Sequence, residues 1–409
     1  MRDACATPGL LSLEDALIKI LDALPDAERY EQVSLRQSLG RVLSTNIHSA
    51  INVPSFRNSY MDGYALHSDD QDKASLTLIG TSWAGKPYTG KVARGECVRI
   101  FTGAYVPDCC DCVAMQENVQ RENDYIKITP WPVHHENIRD TADDTAEGQE
   151  LLAQGTLLGA AEIGLLASCA IVDVSVFQRL TVGFFSTGDE LVSMGSKLEL
   201  GQIYDSNRYT LHALLTEAGI TAIDMGVIPD TPEDVENALL SASKHCDAII
   251  TSGGVSVGEA DFITDVLGKI GRINFWKIAI KPGKPFVFGS VGNALFFGLP
   301  GNPVSVAISF QQLLLPAFKK LMGHKKEHSP LTLQATVSQT IYKQPGRTEF
   351  QRGIAENING TLVVNSTGNQ GSHVLSSMTK ANCLIILEQG SGDIEKGQTV
   401  NIQLLGNSL

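Results

Sequence analysis

The stretch DAIITSGGVSVGEADF (residues 247–262) decides how the chain is read. Its first part is a short apolar run of β-formers, the pattern of a strand buried on both faces of a parallel sheet. Serine and glycine follow, a composition that lets backbone N–H groups converge on the oxygens of an anion. Yet the loop ends in two acids, Glu259 and Asp261. At an effective dielectric of about 20, unit charges ~4 Å apart interact by roughly 4 kcal/mol, so bare carboxylates beside a phosphate would oppose its binding. A divalent cation between them removes the conflict, as Mg²⁺ does when it takes carboxylates together with phosphate oxygens. On this view the loop amides hold phosphate and the acids hold metal.

A lone Ser/Gly loop is commonly only a turn, so its surroundings carry the weight. Working outward, TVGFFS (181–186), TAIDMGVI (221–228), INFWKIAI (273–280) and NALFFGLP (293–300) are further strand candidates. Helical segments over 207–218, 232–244 and 261–270 separate them. Alternation of this kind, with right-handed crossovers, predicts a central three-layer, doubly wound α/β domain over residues 180–326. Ligands of such sheets bind outside the carboxyl ends of the strands. Glu190 in TGDE, Asp230, Asp261, Lys281 and Lys284 in KPGKP (281–285), and Asn302 and Pro303 all follow predicted strands. Singly, Asp230 before TPE reads equally well as a helix N-cap, and the two lysines as a solvated turn. Their coincidence at one crevice favours a site with acids for a cation and lysines for a further oxyanion.

Ser12 followed by Asp15 is a capping-box-like helix start, and Leu13, Leu17, Ile20, Leu21 and Leu24 share one helical face. A second helix is expected over 34–43, and both pieces are expected to pack on an Ala/Leu-rich helix near 162–169. Residues 1–45 and 140–179 thus form a helical linker domain. Between them LTLIGTSWAG (76–85), ECVRIFTGAYVP (96–107) and DYIKITPWPV (124–133) read as an inserted β domain over 46–139. After Pro330 the period returns to two, with Leu331, Leu333, Ala335 and Val337 on one face, then ANCLIILE (381–388) and TVNIQLL (399–405). Residues 327–409 are expected to form a small β-barrel.

An apolar fraction of 43% and a charged fraction of 19% are those of a folded chain. A net charge of -13 argues against a general nucleic-acid or anionic-membrane surface. No secretory apolar region opens the sequence, and the longest apolar run, 163–172, is about half of a membrane span. The expected location is the cytoplasm. The eight cysteines are scattered except for CCDC at 109–112, with His134 and His135 downstream. Zinc is conceivable there, but no second C-x-x-C accompanies it, which favours small residues in a turn.

NSYMDGYAL (58–66), STGDEL (186–191), TSGGVSVGEADF (251–262), KPGKP (281–285) and GLPGNPVS (298–305), in this order, resemble the molybdopterin molybdenumtransferase family, which comprises MoeA and the E domain of gephyrin. The resemblance runs over residues 10–405. It implies a homodimer of elongated four-domain subunits whose α/β domain binds molybdopterin. The implied reaction takes adenylylated molybdopterin and molybdate, cleaves the phosphoanhydride with a divalent cation such as Mg²⁺, and releases AMP and molybdenum cofactor. By the same resemblance Asp62, Thr102, Asp144, Glu190, Asp230 and Asp261 are catalytic, and Glu190, Asp230 and Asp261 surround the cation. Ser252, Gly253, Gly254, Lys277, Pro300, Asn302 and Pro303 contact substrate, while Lys281, Lys284, Arg352 and Ser372 hold molybdate. Asp62 and Thr102 belong to the β insertion, which in the family reaches the active site of the other subunit. A molybdopterin adenylyltransferase and molybdoenzyme-maturation proteins are the implied partners.

The chain departs from the family pattern in four places. Ala142 replaces a usual glycine and Asp143 a usual glutamate; Tyr60 stands where the family often has something small, and CCDC replaces small residues of a turn. Two alternatives share the fold. The related adenylyltransferase has a loop reading TTGGTG followed by Arg-Asp, unlike the loop here, and a non-catalytic scaffold need not keep Glu190, Asp230, Asp261, Lys281 and Arg352 together.

Overall fold

The computed structural model describes residues 10–255, 262–325 and 330–406. The chain divides into two compact units, one taking the chain up to Glu31 and again from Phe177, the other Gln32–Val176.

The first unit opens with α1 (Leu13–Ala23), started by Ser12, whose hydroxyl accepts the Asp15 N–H at 3.0 Å. Its α/β part then runs β1 (Thr181–Thr187), α2 (Ser206–Glu217), β2 (Thr221–Ile228), α3 (Pro232–Ala242), β3 (Ala248–Ser252), α4 (Phe262–Ile270) and β4 (Gly271–Trp276). It continues through β5 (Ile280–Lys281), β6 (Val287–Val291), β7 (Ala294–Leu299) and α5 (Pro303–Ser309), and ends in α6 (Leu315–Leu321). The main sheet has the order β2-β1-β3-β7-β6-β4. The first four strands are parallel, and β6 is antiparallel to both β7 and β4.

Successive side chains of a strand point to opposite faces, so adjacent residues enter different cores. Phe184, Ile250 and Phe297 pack on one face with Ile20 of α1, Leu211 of α2 and Phe318 of α6. Phe185, Ile249 and Phe296 pack on the other with Leu239 of α3 and Ile263 and Leu267 of α4. Burial on both faces explains why these strands read as continuous apolar runs rather than alternating ones. The result is the three-layer doubly wound domain expected.

The C-terminal strands β8 (Thr332–Val337), β9 (Thr348–Ile358), β10 (Thr361–Ser366), β11 (Cys383–Leu387) and β12 (Thr399–Leu404) form a closed barrel. Their order is β9-β10-β8-β12-β11, and β11 pairs back onto β9. Ala335, Val337, Val364, Ile385 and Ile402 fill it, whereas Phe350 and Leu384 join the core of the α/β part.

Four expectations are corrected. No α-helix spans 34–43: a single 3-10 turn, Leu35–Gln37, is followed by Gly40 at φ 72°, after which Val42 and Leu43 bridge to Leu157 and Val176. Helix α1 finds its apolar partners within its own unit, in the α/β core and α6, where Lys320 Nζ donates to Leu21 O at 2.8 Å. The segment INFWKIAI is not one strand: β4 ends at Trp276, Lys277 takes φ 71°, and β5 pairs instead with β9 of the barrel. Leu331 lies outside the barrel core, 67% exposed, before β8 begins.

The second unit holds a six-stranded sheet whose strands, in spatial order, are Cys112–Met115, Gly63–Leu66, Glu96–Ile100, Leu76–Ser82, Tyr125–Ile128 and Val119–Glu122. Ala65, Val98 and Val113 face one core; Tyr64, Leu66 and Ala114 face another. Cys110 and Cys112 are fully buried and Cys109 is exposed. Burial raises the thiols of Cys110 and Cys112 far above their usual value, which suits packing residues. A third cluster joins Leu35, Leu43 and Val176 to Leu166 of the helix Ala160–Ser168.

Candidate functional site

At the carboxyl ends of β1, β3 and β7 the first unit opens into a cleft of about 980 Å³, at the upper end of ordinary ligand pockets. Three turns meet there closely. Gly253 and Gly254 take φ values of 96° and 65°, and a Cβ on Gly253 would lie 2.7 Å from Thr187 O. Only glycine fits both the backbone and the contact. The Gly253 N–H donates to Leu299 O at 3.1 Å, whereas the Gly254 N–H has no acceptor among the described residues. Gly253 therefore shapes the loop, and Gly254 offers an amide.

Asn207, in the first turn of α2, ties the turns together. Its Nδ2 donates to Ser252 Oγ at 2.8 Å and to Gly301 O at 2.6 Å. The residue is 9% exposed and its Oδ1 has no partner, so Asn207 carries an unused acceptor at the cleft. Sequence reasoning placed this residue on a helix and assigned it no role; an asparagine directly after the helix start was the available signal. Arg347, also at the cleft, was likewise missed.

The cleft carries charges of both signs. Glu190 and Asp230 line it. Asp230 is not a helix cap, because Thr231 accepts the Asp234 N–H and occupies that position itself. Its buried Oδ1 has no partner. Burial, then the charges of Asp189 and Glu190, holds the Asp230 carboxyl above the usual carboxylate range. An unpartnered carboxylate oxygen among like charges is chemistry that suits a cation. Among the described residues no three His, Cys, Asp or Glu side chains converge tightly enough to hold a metal by themselves. Asp261 and Glu259 lie outside the described residues.

Lys281, Lys284 and Arg347 line the cleft too. Lys281 Nζ lies 3.2 Å from both carboxylate oxygens of Glu349, while Lys284 has no ion partner among the described residues. Pro300, Asn302 and Pro303 complete this part of the lining, and Pro303 starts α5. The barrel supplies Ser372, whose carbonyl accepts the Val304 N–H at 3.1 Å. Two expected residues are not in the lining. Lys277 sits at the turn after β4, its N–H on Phe286 O. Arg352 is 1% exposed, with Nε on Ser377 Oγ at 2.9 Å and Nη2 on Gly371 O at 3.0 Å. It braces the loop that presents Ser372.

The remaining expected residues lie in the second unit. Thr102 donates to Asp62 Oδ1 through both its N–H and its hydroxyl, each at 2.8 Å. These hydrogen bonds, helped by Arg99, hold the Asp62 carboxyl below its usual value. Asp144 is exposed and its N–H donates to Val53 O. Ala142 keeps a left-handed φ of 64°. Tyr60 and Asp143, two departures from the family pattern, touch each other: the Tyr60 hydroxyl donates to Asp143 Oδ2 at 2.9 Å, and Arg139 lies 4.5 Å from the Tyr60 ring centroid.

Family models match three consecutive stretches: the MoeA N-terminal region (domain I and II) over 11–170, a probable molybdopterin binding domain over 183–320, and the MoeA C-terminal region (domain IV) over 334–405. The molybdopterin molybdenumtransferase of Haemophilus influenzae is 45% identical, across 96% of this chain and 98% of its own. The chain belongs to the molybdopterin molybdenumtransferase (MoeA) family. It is thereby a transferase of molybdenum cofactor biosynthesis. The molybdopterin molybdenumtransferase of Bacillus subtilis is 32% identical over 92% of this chain and 90% of its own. The MoeA crystal structure from Pyrococcus horikoshii OT3 superposes with a TM-score of 0.84 at 29% identity, covering 97% and 100%. Nothing in the described MoeA-family chain is a helix long and apolar enough to cross a membrane.

Proposed function

We propose that the cleft of the first unit takes adenylylated molybdopterin and molybdate, cleaves the phosphoanhydride, releases AMP and leaves molybdenum on the pterin dithiolene. One observation carries this: a single cleft is lined both by the unpartnered Asp230 carboxylate with Glu190 and by Lys281 and Lys284. A ligand with a phosphoanhydride and a separate oxyanion satisfies both kinds of group.

Glu190 and Asp230, with Asp261, would hold the divalent cation, which when bound supplies charge neutralisation at phosphate oxygens. The chain's own groups do the remainder. Gly254 donates its amide to a phosphate oxygen, and its missing side chain lets the loop pack against Ile263 and Thr187, which a Cβ there would meet at 2.6 and 2.9 Å. Ser252, fixed by Asn207, sets the loop's height above β3. Lys281 and Lys284 attract molybdate beside Ser372, while Arg352 positions the Ser372 loop from behind. We place the protein in a homodimer in which Asp62, Thr102 and Asp144 serve the partner's cleft, as the family resemblance implies, and in the cytoplasm.

The test mixes purified protein, adenylylated molybdopterin, Mg²⁺ and molybdate and follows AMP and molybdenum cofactor. Release of both, abolished by Asp230→Asn, is the expected result. Substantial adenylylation of molybdopterin from ATP would instead favour the adenylyltransferase alternative, and an inert protein the scaffold.

A further inference from the structure

The two cleft lysines are held differently. Lys284 has no ion partner among the described residues. Lys281, on the two-residue strand β5, is the register partner of Glu349 on β9, and their side chains meet at 3.2 Å. Glu349 is 4% exposed, and its Oε1 also accepts Gln351 Nε2 at 3.0 Å. Gln351 is itself buried and anchored on Tyr342 O at 3.1 Å. The Lys281 side chain, by contrast, is 47% exposed. One end of the pair is therefore fixed inside the barrel and the other reaches the cleft.

We propose that Glu349 is a positioning residue for the oxyanion subsite: a buried barrel carboxylate that fixes the Lys281 ammonium where the ligand oxygen arrives. An ammonium has three N–H donors on a flexible four-carbon stem. Glu349 occupies one donor direction, which leaves the others for an oxyanion and removes the stem's freedom before binding rather than during it. Lys281 is the one cation within 4 Å of Glu349 among the described residues, with Lys343 and Arg352 acting on its charge from farther away, so losing Lys281 removes the direct partner of a buried carboxylate. The pair also explains why the loop KPGKP crosses from the α/β part to the barrel: β5 sets Lys281 beside Glu349, and Thr348 N–H donates to Ala279 O at 2.9 Å just before it.

The inference rests on the reading that Lys281 contacts molybdate, and the experiment separates the two. Binding of inorganic molybdate is measured by calorimetry on the full chain for wild type, Glu349→Gln, Glu349→Asp, Lys281→Ala and the Lys281→Ala/Glu349→Gln double variant. Cofactor formation is followed against molybdate in parallel. Glu349→Gln is expected to weaken molybdate binding and raise its KM about tenfold, with kcat within about twofold. Glu349→Asp recovers part of the loss, and Glu349→Gln costs nothing further once Lys281 is alanine. Equal losses in both backgrounds, or a fall in kcat at unchanged KM, would mark Glu349 as merely structural and overturn the proposal. If wild type binds molybdate and Lys281→Ala binds equally well, the reading of Lys281 fails, and this proposal with it. If wild type binds but forms no cofactor, the proposed reaction fails while the calorimetric comparison still decides Glu349.

Discussion

Asp62 and Thr102 are joined twice through one oxygen, since the backbone N–H and the hydroxyl of Thr102 both donate to Asp62 Oδ1 at 2.8 Å. Two donors on one carboxylate oxygen favour its ionised form. Thr102→Val keeps the backbone donor and removes the hydroxyl. The Asp62 carboxyl, followed by NMR titration, is expected to move up but stay below its ordinary value. The stabilisation from this link is present above the ordinary carboxylate pKa and is lost as pH falls through the depressed one. An Asp62 titration that does not move in the variant would contradict the assignment.

Asp230 has the opposite sign. Its raised carboxyl makes the folded state bind a proton earlier than the unfolded chain. The stability this gives is complete below the unfolded pKa and disappears as pH rises through the folded one. At neutral pH the ionised acid is therefore a strain that a cation relieves. Mg²⁺ is expected to raise the melting temperature at pH 7, and to lose that effect as acid protonates Asp230. Asp230→Asn should raise the melting temperature without Mg²⁺ and blunt the response to it. A magnesium effect equal in wild type and variant would place the ion elsewhere.

Ala142 holds φ 64°, a conformation that costs an L-residue with a Cβ roughly 1–2 kcal/mol. Ala142→Gly should relieve most of this, less the extra freedom glycine gains in the unfolded chain. A net gain of about 0.5–1 kcal/mol in chemical denaturation is expected. Loss of stability would show that the alanine methyl contributes packing that outweighs the strain.

Asn207→Ala removes the donor that serves both Ser252 Oγ and Gly301 O. Leaving buried groups unpaired costs about 1–3 kcal/mol, and the loops on either side of the cleft lose their common tie. We expect that loss of stability together with a fall of roughly tenfold or more in kcat/KM. Asn207→Asp, isosteric but without a donor, should be as damaging. Wild-type turnover in both variants would reduce Asn207 to a bystander.

The sequence by itself determined which strands are buried on two faces, because runs such as 248–252 and 294–299 have no polar alternation to offer water. It also determined where the loops between them carry charge, and so the position of Glu190, Asp230, Lys281 and Lys284 around one crevice. Helices with a local start signal, such as α1 behind Ser12, were legible for the same reason: capping is a contact within a few residues. Where α1 packs, that β5 leaves its own sheet for the barrel, and that Arg352 stands behind the cleft while Arg347 lines it were settled only in three dimensions. Each depends on a partner far along the chain: Phe318 for Ile20, Glu349 for Lys281, Gly371 for Arg352. Periodicity and capping act over a turn or two of chain, whereas a side chain's neighbours are chosen by which distant surfaces the whole core brings together.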